Sequence, residues 1–261
     1  MLDDDLDASA FADAAAVPEV HAETAAPRRR FGLAFAIAAA FALVAFLWQP
    51  WAQPTSSGYQ IATAKGEHRS VQLADGSSIA LNGNSRLWVA SADGREAELL
   101  RGEALFAIRH NPQRPFVLRL GDDRVEDLGT TFNVIRDRQI LKVEVAEGAV
   151  RYHRGGNRLQ LRAGQTLDIL PTGDAAVGRK RPSAIATWRA GQLVYEAVPV
   201  AEVARELGRN LGVTVSVAPG FALQPFTGSV HVAGPAKVVV PQFASAIGAR
   251  ARKSGGDWLI E

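Results

Sequence analysis

The chain has 261 residues, 47% of them hydrophobic, which is enough for one or two domains with apolar cores. It contains no cysteine, so disulfide bonds, thiolate metal sites and cysteine nucleophiles are excluded. The formal net charge is +2, but the charge is unevenly divided. Residues 1–27 hold seven acidic residues and no basic one, whereas 26 of the 29 Lys and Arg follow Trp48. This basic excess is spread along the sequence, which indicates a solvated surface rather than a nucleic-acid site.

Residues 1–30 are predicted to form a short acidic tail. Leu2 and Leu6 fall on one side of a short helix, but a segment this small cannot bury a core of its own. The tail is therefore either a disordered leader or a segment that folds when it docks on a partner.

Residues 31–48 contain no charged residue and would make a helix of about 27 Å, close to the hydrocarbon thickness of a bilayer. Three arginines stand directly before this segment: Arg28, Arg29 and Arg30. The next basic residue is Lys65, so the positive-inside rule keeps the N-terminus in the cytoplasm and sends the rest of the chain across the membrane. Trp48 and Trp51 suit the far membrane interface as an aromatic belt.

A buried core helix and a cleaved signal peptide are the alternatives to a membrane span at residues 31–48. A core helix that is apolar on all faces would need a large protein around it. A cleaved signal peptide would have a long first region of 30 residues, and Pro50-Trp51-Ala52 is a poor cleavage site. We therefore predict an uncleaved transmembrane helix.

Residues 49–58 are a polar spacer, and from residue 59 to 170 the pattern changes to short alternating runs separated by turn signals. In the run 141–145, Val143 and Val145 are expected to face a core, and Lys142 and Glu144 to face solvent. Runs of this kind predict an all-β domain, either a sandwich or a roll with solenoid-like character. Eleven strands are expected, at residues 70–74, 78–81, 86–90, 96–101, 104–109, 115–120, 130–135, 140–145, 149–152, 158–161 and 165–170.

Residues 171–187 are predicted to be a linker, in which Arg179, Lys180 and Arg181 form a solvated loop. From residue 188 to 261 the pattern predicts a small α+β domain in the order βαβ–βαββ. An apolar stripe that includes Leu207 marks its first helix, and Gly212 is expected to end it. The second helix is expected to start near Pro241.

The sequence offers no catalytic, cofactor-binding or metal-binding constellation. Its five histidines lack metal-ligand spacing, and it has no phosphate-binding loop, nucleophile elbow or zinc-protease motif. The acidic pairs Asp122-Asp123 and Glu126-Asp127 are expected in a solvated loop. We therefore do not expect an enzyme.

Several phrases taken together resemble the FecR family of single-span regulators in bacterial cell-surface signalling. They are GEHRSVQLADGSSIALNGNSRLWV (66–89), LLRGEALFAI (99–108), RPFVLRL (114–120), VEDLGTTFNVI (125–135), VEVAEGAV (143–150), LRAGQ (161–165) and WRAGQLVYEAVPVAEVARELGR (188–209). Their order and spacing extend over about 150 residues.

This resemblance implies a protein of the inner membrane of Gram-negative bacteria, with most of its chain in the periplasm. The periplasmic part would contact the signalling domain of an outer-membrane TonB-dependent receptor, commonly one for iron-siderophores. The cytoplasmic part would bind an extracytoplasmic-function (ECF) sigma factor, as an anti-sigma factor or as an activator. The C-terminal order βαβ–βαββ is similar to the short N-terminal domain of secretins and TonB-dependent receptors.

The front of the chain departs from the family pattern, because members usually carry a longer, helical, tryptophan-containing cytoplasmic domain. Either the start codon was assigned too late, or the inner part is degenerate or binds differently. The remaining alternatives are a membrane-tethered adhesion or glycan-binding module that makes no sigma-factor contact, and a periplasmic enzyme.

The receptor contact is expected on an open strand edge of the C-terminal domain, since a sheet edge accepts an added strand. The residues predicted there are Thr227, Gly228, Ser229, Val230, His231 and Val232.

Overall fold

The computed structural model describes residues 58–90, 94–137, 140–170 and 172–261. Residues 56–261 form one compact unit. The predicted span at 31–48 lies outside the described residues, together with the residues that were expected to orient it, namely Arg28, Arg29, Arg30, Trp48 and Trp51. Within the described ranges, no helix is both long and apolar enough to cross a membrane.

In the described chain, thirteen strands form two layers that share the long strand β5 (Glu96–Ala107). The front sheet consists, in spatial order, of β1 (Gly58–Ala62), β4 (Arg86–Ala90), the first half of β5, β6 (Val117–Leu120), β7 (Asp123–Asp127), β10 (Ala149–Arg154) and β11 (Asn157–Arg162). The back sheet consists of β2 (Arg69–Gln72), β3 (Ser78–Leu81), the second half of β5, β8 (Thr131–Asp137), β9 (Ile140–Glu147), β12 (Gln165–Ile169) and β13 (Ala175–Arg179).

The core of this β subdomain lies between the two layers. Leu99 and Leu118 from the front sheet and Phe132 and Val143 from the back sheet are fully buried in one cluster. Phe106 stacks on Phe132 with ring centroids 5.0 Å apart. The sandwich-like architecture expected from the alternating runs is therefore present, and Val143 faces the core as predicted.

Strand β5 crosses from one layer to the other, whereas the sequence pattern predicted two strands there. The bend lies at Gly102, which has φ +97°. A Cβ at this position would come within 2.4 Å of the Ser85 Cα atom. Glycine is therefore required both for the backbone conformation and for the close approach of the next strand.

The acidic pairs that were expected in a solvated loop lie instead in strand β7 and the turn before it, so that prediction is wrong. Asp123 and Asp127 point inward and are only 8% and 2% exposed. The Tyr152 hydroxyl donates a hydrogen bond to Asp123 Oδ2 (2.7 Å), and Asp127 Oδ2 accepts one from the Gly129 N–H (2.9 Å). Burial raises the pKa of Asp127. These hydrogen-bond partners allow two carboxylates to lie on the inward face of a strand. The charge pattern of the sequence, taken alone, predicts that such residues face solvent.

The segment predicted as a linker contains regular structure. Strand β13 pairs with β12, and a 3-10 helix (Pro182–Ala184) follows it. Lys180 forms an ion pair with Glu144 instead of standing free in solvent.

The C-terminal subdomain has the expected order of elements. They are a second 3-10 helix (Thr187–Ala190), β14 (Gln192–Pro199), α1 (Val200–Leu211), β15 (Val215–Val217), the short helix α2 (Pro219–Ala222), β16 (Pro225–His231), α3 (Ala236–Ala246), β17 (Ala251–Ser254) and β18 (Asp257–Ile260). β14 pairs with β16, and β15, β18 and β17 form a three-stranded sheet.

The predicted stripe of helix α1 is buried, and Leu207 is fully inaccessible. Gly212 ends the helix with φ +74°, and its N–H donates to the Gly208 carbonyl, as the C-cap prediction required. Helix α3 begins at Ala236, five residues before the predicted start, and Pro241 lies inside it. The predicted start is misplaced because Pro235, not Pro241, precedes the first helical residue, and Val239 and Val240 already pack inward before Pro241.

The C-terminal subdomain covers the outer face of the back sheet. Ala80 and Leu105 from that face belong to the same apolar cluster as Trp188 and Leu207. His68 makes an edge-to-face contact with Trp188, with centroids 5.3 Å apart. The central strands of the back sheet are thus buried on both faces, whereas its edge strands β2 and β13 stay largely exposed.

Candidate partner-binding site

Strand β16 contains the segment where the sequence predicted a partner contact. It pairs only with β14 among the described strands, so its other edge is open. Five of the six predicted residues lie within it: Thr227, Gly228, Ser229, Val230 and His231. The sixth, Val232, follows the strand, is 8% exposed, and donates its N–H to the Gly191 carbonyl at 2.7 Å.

The side chains of β16 alternate between solvent and the subdomain core. Thr227, Ser229 and His231 are exposed, while Phe226 and Val230 are partly buried. The Phe226 ring makes edge-to-face contacts with Tyr195 and Phe243, at centroid distances of 5.9 and 5.2 Å. The strand therefore presents an open backbone edge on a packed support, which is what strand addition requires.

A bulge in β14 fixes one end of this pair of strands. The register shifts between Tyr195 and Val198, and Ala197 has φ +52°. The Ala197 N–H donates to the Thr227 hydroxyl at 2.9 Å. Thr227 is thus used inside the two-stranded sheet, which leaves Ser229 and His231 as the exposed polar side chains beyond it.

Behind this edge, the C-terminal subdomain is joined to the back sheet by buried charges. Glu103 on β5 receives hydrogen bonds from Arg209 on α1 (2.9 Å), Asn82 (2.8 Å) and Asn133 (3.0 Å). Side-chain exposure is only 6% for Glu103 and 13% for Arg209. Burial would lower the pKa of Arg209, but the carboxylates of Glu103 and Glu206 outweigh it, so the pKa is raised. The charged form of Arg209 is therefore held in place.

A further ion pair crosses the junction, between Lys142 and Glu202, and two others lie beside it within the β subdomain. Lys142 Nζ lies 2.6 Å from Glu202 Oε1 on α1 and 3.2 Å from Asp168 Oδ1 on β12. Lys180 Nζ lies 2.9 Å from Glu144 Oε1. Burial would lower the pKa of Lys142, but its acidic neighbours raise it. The expectation that Lys142 and Glu144 face solvent is wrong, because a second subdomain covers that side of the sheet.

Glu206 lies among these charges without an ion-pair partner within 4 Å in the described part of the chain. Burial raises its pKa and the nearby Glu103 raises it further, while Lys180 and Arg209 act in the opposite direction. Burial also raises the pKa of Tyr195 well above its usual range, and Glu206 adds to that effect. The junction thus has more acidic than basic groups, and the raised pKa of Glu206 reflects this excess.

The backbones of the two subdomains also approach closely where the chain has glycines. A Cβ at Gly83 would lie 2.5 Å from the Arg209 carbonyl oxygen and 2.7 Å from the Gly66 nitrogen. A Cβ at Gly212 would lie 3.1 Å from the Lys65 carbonyl oxygen. The C-terminal end of α1 is therefore seated against two turns of the β subdomain with no room for a side chain.

Sequence reasoning missed this junction completely. Its members are far apart in the chain; Glu103 and Arg209, for example, are separated by 106 residues. The available signal was the presence of asparagine and glutamate within otherwise apolar strands, as in Asn133 and Glu144. Among the described residues, no group of histidines and carboxylates could hold a metal ion.

Comparison with known families bears on the β subdomain directly. Residues 59–151 match the family model described as FecR protein. The chain carries a FecR domain. The resemblance seen in the sequence motifs is thereby confirmed for the motifs between residues 66 and 150.

The described fold is shared with two crystal structures of a candidate anti-sigma factor from Parabacteroides distasonis ATCC 8503, at 1.65 and 2.50 Å resolution. Both give a TM-score of 0.69, with 23% and 22% sequence identity, and both alignments cover 78% of this chain and 98% of that chain. At this identity the likeness establishes the fold, including the C-terminal subdomain beyond the FecR match. A search of curated proteins gives no match.

Proposed function

We propose that this protein is a sigma-factor regulator of the FecR type, anchored in the bacterial inner membrane, that relays an external signal to a cytoplasmic ECF sigma factor. The observation that carries the proposal is the FecR domain at residues 59–151, joined to a C-terminal subdomain as in the candidate anti-sigma factor. It acts by binding and not by catalysis.

The proposed topology rests on the sequence. The uncharged segment 31–48 spans the membrane, and Arg28, Arg29 and Arg30 keep residues 1–30 in the cytoplasm. A phosphatase fused after Glu261 should then be active, and a fluorescent protein that matures only in the cytoplasm should be dark there. Replacing the three arginines by glutamate should scramble the orientation. The reverse pair of fusion results would overturn the topology.

The proposed external partner is the signalling domain of an outer-membrane TonB-dependent receptor, bound at the open edge of β16. The exposed edge and its aromatic support favour this strand over a loop surface. The buried ion pairs then connect the contact to the β subdomain. A force or displacement at the C-terminal subdomain reaches β5 through Arg209 and Glu103 without an intervening flexible linker.

The edge can be tested with a matched pair of proline substitutions in residues 56–261. Adjacent residues of a strand direct their N–H groups to opposite sides, so Ser229→Pro and Val230→Pro remove hydrogen-bond donors from different edges. The variant that removes a donor from the β14 side should be less stable, because β16 then pairs less well with β14. The variant that removes a donor from the open side should stay folded and lose its affinity for the signalling domain. Two folded variants with undiminished affinity would exclude β16 as the contact.

The unit 56–261 is the fragment to titrate, because residues 188–261 alone would leave Glu202 and Arg209 without their partners in the β subdomain. If the receptor's signalling domain binds residues 59–170 but not the C-terminal subdomain within the whole unit, as shown by hydrogen exchange, the assignment of roles is reversed.

The proposed contact with a cytoplasmic sigma factor is tested with residues 1–30. A pull-down with this tail should capture the ECF sigma factor encoded nearby, and a tail with its seven acidic residues changed to amides should serve as the control. If the full-length chain binds no sigma factor while the periplasmic unit still binds its partner, the protein is a membrane-tethered binding module instead.

A further inference from the structure

The two sheets of the β subdomain differ in what lies on their outer faces. The outer face of the back sheet is covered by the C-terminal subdomain. The outer face of the front sheet carries exposed polar side chains, and no described element packs over it. It is the large sheet face that the described fold leaves open.

A row of basic side chains crosses four neighbouring strands of this open face. Arg158 on β11 lies opposite His153 on β10, His153 lies opposite Arg124 on β7, and Arg124 lies opposite Arg119 on β6. Like charges in directly opposite positions of an antiparallel pair are destabilising. We name these four residues the arginine row: Arg119, Arg124, His153 and Arg158.

The described acidic residues of the open face pair with only two members of the arginine row, Arg119 and His153. Glu126 is engaged by both Arg151 (3.1 Å) and His153 (3.2 Å), and Glu96 pairs with Arg119 at 2.5 Å. Within the described ranges, no ion-pair partner is found for Arg124 or Arg158. The open face therefore keeps an unbalanced positive charge.

A groove runs beside the arginine row at its β6–β7 end. Its volume is about 600 Å³, and arginines and acidic residues line it in equal number, four of each, with Arg119 and Arg124 among the arginines. The groove has room for a phosphate-bearing headgroup with its water, and its arginines can bind a phosphate, but its balanced lining adds no net positive charge to that of the arginine row.

We propose that this open face lies on an anionic phospholipid surface, with the arginine row contacting lipid phosphates. The inference rests on the proposed membrane anchor. The predicted span ends at Trp48 and β1 begins at Gly58, so the ten residue steps between them reach at most about 35 Å. Strand β4, at that end of the front sheet, carries the partly buried Trp88 on the open face. Tryptophan beside basic residues is typical of membrane interfaces.

The test uses residues 56–261, a compact unit whose fold spans 98% of the matched crystal chain. The protein is sedimented with phosphatidylcholine vesicles that contain or lack phosphatidylglycerol, at low and at high salt. We expect binding only to the anionic vesicles and its loss at high salt. Each arginine near an anionic surface raises the partition coefficient of the protein between water and vesicle about fivefold. The variant Arg119→Gln/Arg124→Gln/Arg158→Gln loses three such charges, so it should bind the anionic vesicles about 100-fold more weakly.

The matched control removes the same charge from the hairpin of the C-terminal subdomain, in the variant Arg250→Gln/Arg252→Gln/Lys253→Gln. It should retain at least about a third of the wild-type partition coefficient, and thermal unfolding should show that both variants are folded. Equal binding to both kinds of vesicle, no binding at all, or equal losses in the two variants would overturn the proposal. In a separate titration, if the arginine-row variant keeps its vesicle binding and loses only the receptor's signalling domain, the face binds an acidic protein and the lipid proposal fails. Since the vesicle assay contains neither tail nor receptor, its failure leaves the regulator function standing.

Discussion

Replacing Arg209 should show that a charge in the junction stabilises the fold more than an exposed charge on the same helix does. In Arg209→Met the methionine occupies similar space, but Glu103 remains buried with only Asn82 and Asn133 as partners. Breaking a buried ion pair from one side costs about 3–5 kcal/mol. Because Arg209 is 13% exposed, the lower half of that range is expected. For a unit of this size, each kcal/mol corresponds to about 2–4 °C, so the melting temperature of residues 56–261 should fall by roughly 6–16 °C.

The matched control is Arg205→Met on the same helix. It removes the same charge and should change the free energy of unfolding by less than about 0.5 kcal/mol, because Arg205 lies on the solvent side of α1. Glu103→Gln/Arg209→Met should recover part of the loss, because no uncompensated charge stays buried. The coupling energy between Glu103 and Arg209 follows from urea unfolding of four proteins: the wild type, Glu103→Gln, Arg209→Met and the double variant. Equal effects of Arg205→Met and Arg209→Met would show that the junction is solvated and that the reasoning fails.

Four further substitutions test the packing and the charge of the unit. Val143→Asp buries a carboxylate in the core and should lower the free energy of unfolding by several kcal/mol. Lys142→Ala leaves Glu202 and Asp168 without their ion-pair partner and should lower it by about 1–3 kcal/mol. Thermal unfolding and limited proteolysis measure both losses, and an unchanged melting temperature would contradict either prediction. Gly83→Ala forces the two subdomains apart and should increase hydrogen exchange in α1, and a wild-type exchange pattern would contradict the close approach. The raised pKa of Glu206 means that its stabilising contribution is complete below the ordinary glutamate pKa and is lost as the pH rises through the folded-state pKa. Glu206→Gln should therefore raise stability at neutral pH relative to acidic pH, and an unchanged pH dependence in urea unfolding would refute this.

Much of the local structure was readable from the sequence, because its causes are local. Alternating apolar residues placed Val143 and Val145 inward, and a glycine after the last apolar residue of a helical stripe marked the end of α1 at Gly212. These signals depend on a few neighbouring residues, so they survive without knowledge of the fold. The motifs of residues 66–165 likewise sufficed to suggest the FecR family.

Errors arose where a distant part of the chain changed the environment of a residue. Lys142, Glu144 and Lys180 have the pattern of solvent-facing residues, but they form half-buried ion pairs on the side of the sheet that the C-terminal subdomain covers. Two adjacent acidic pairs beside a turn are typical of a loop, yet hydrogen bonds from Tyr152 and Gly129 hold Asp123 and Asp127 in a strand.

The sequence by itself determined the order of strands and helices, the apolar segment at residues 31–48 and the absence of cysteine chemistry, since each depends on composition or on short-range periodicity. Only the tertiary structure decided which sheet face is covered and which stays open. That choice depends on where Arg209 and Glu202 meet Glu103 and Lys142, contacts between residues at least 60 positions apart. Long-range pairing of this kind is set by the packing of whole layers, and no local pattern encodes it.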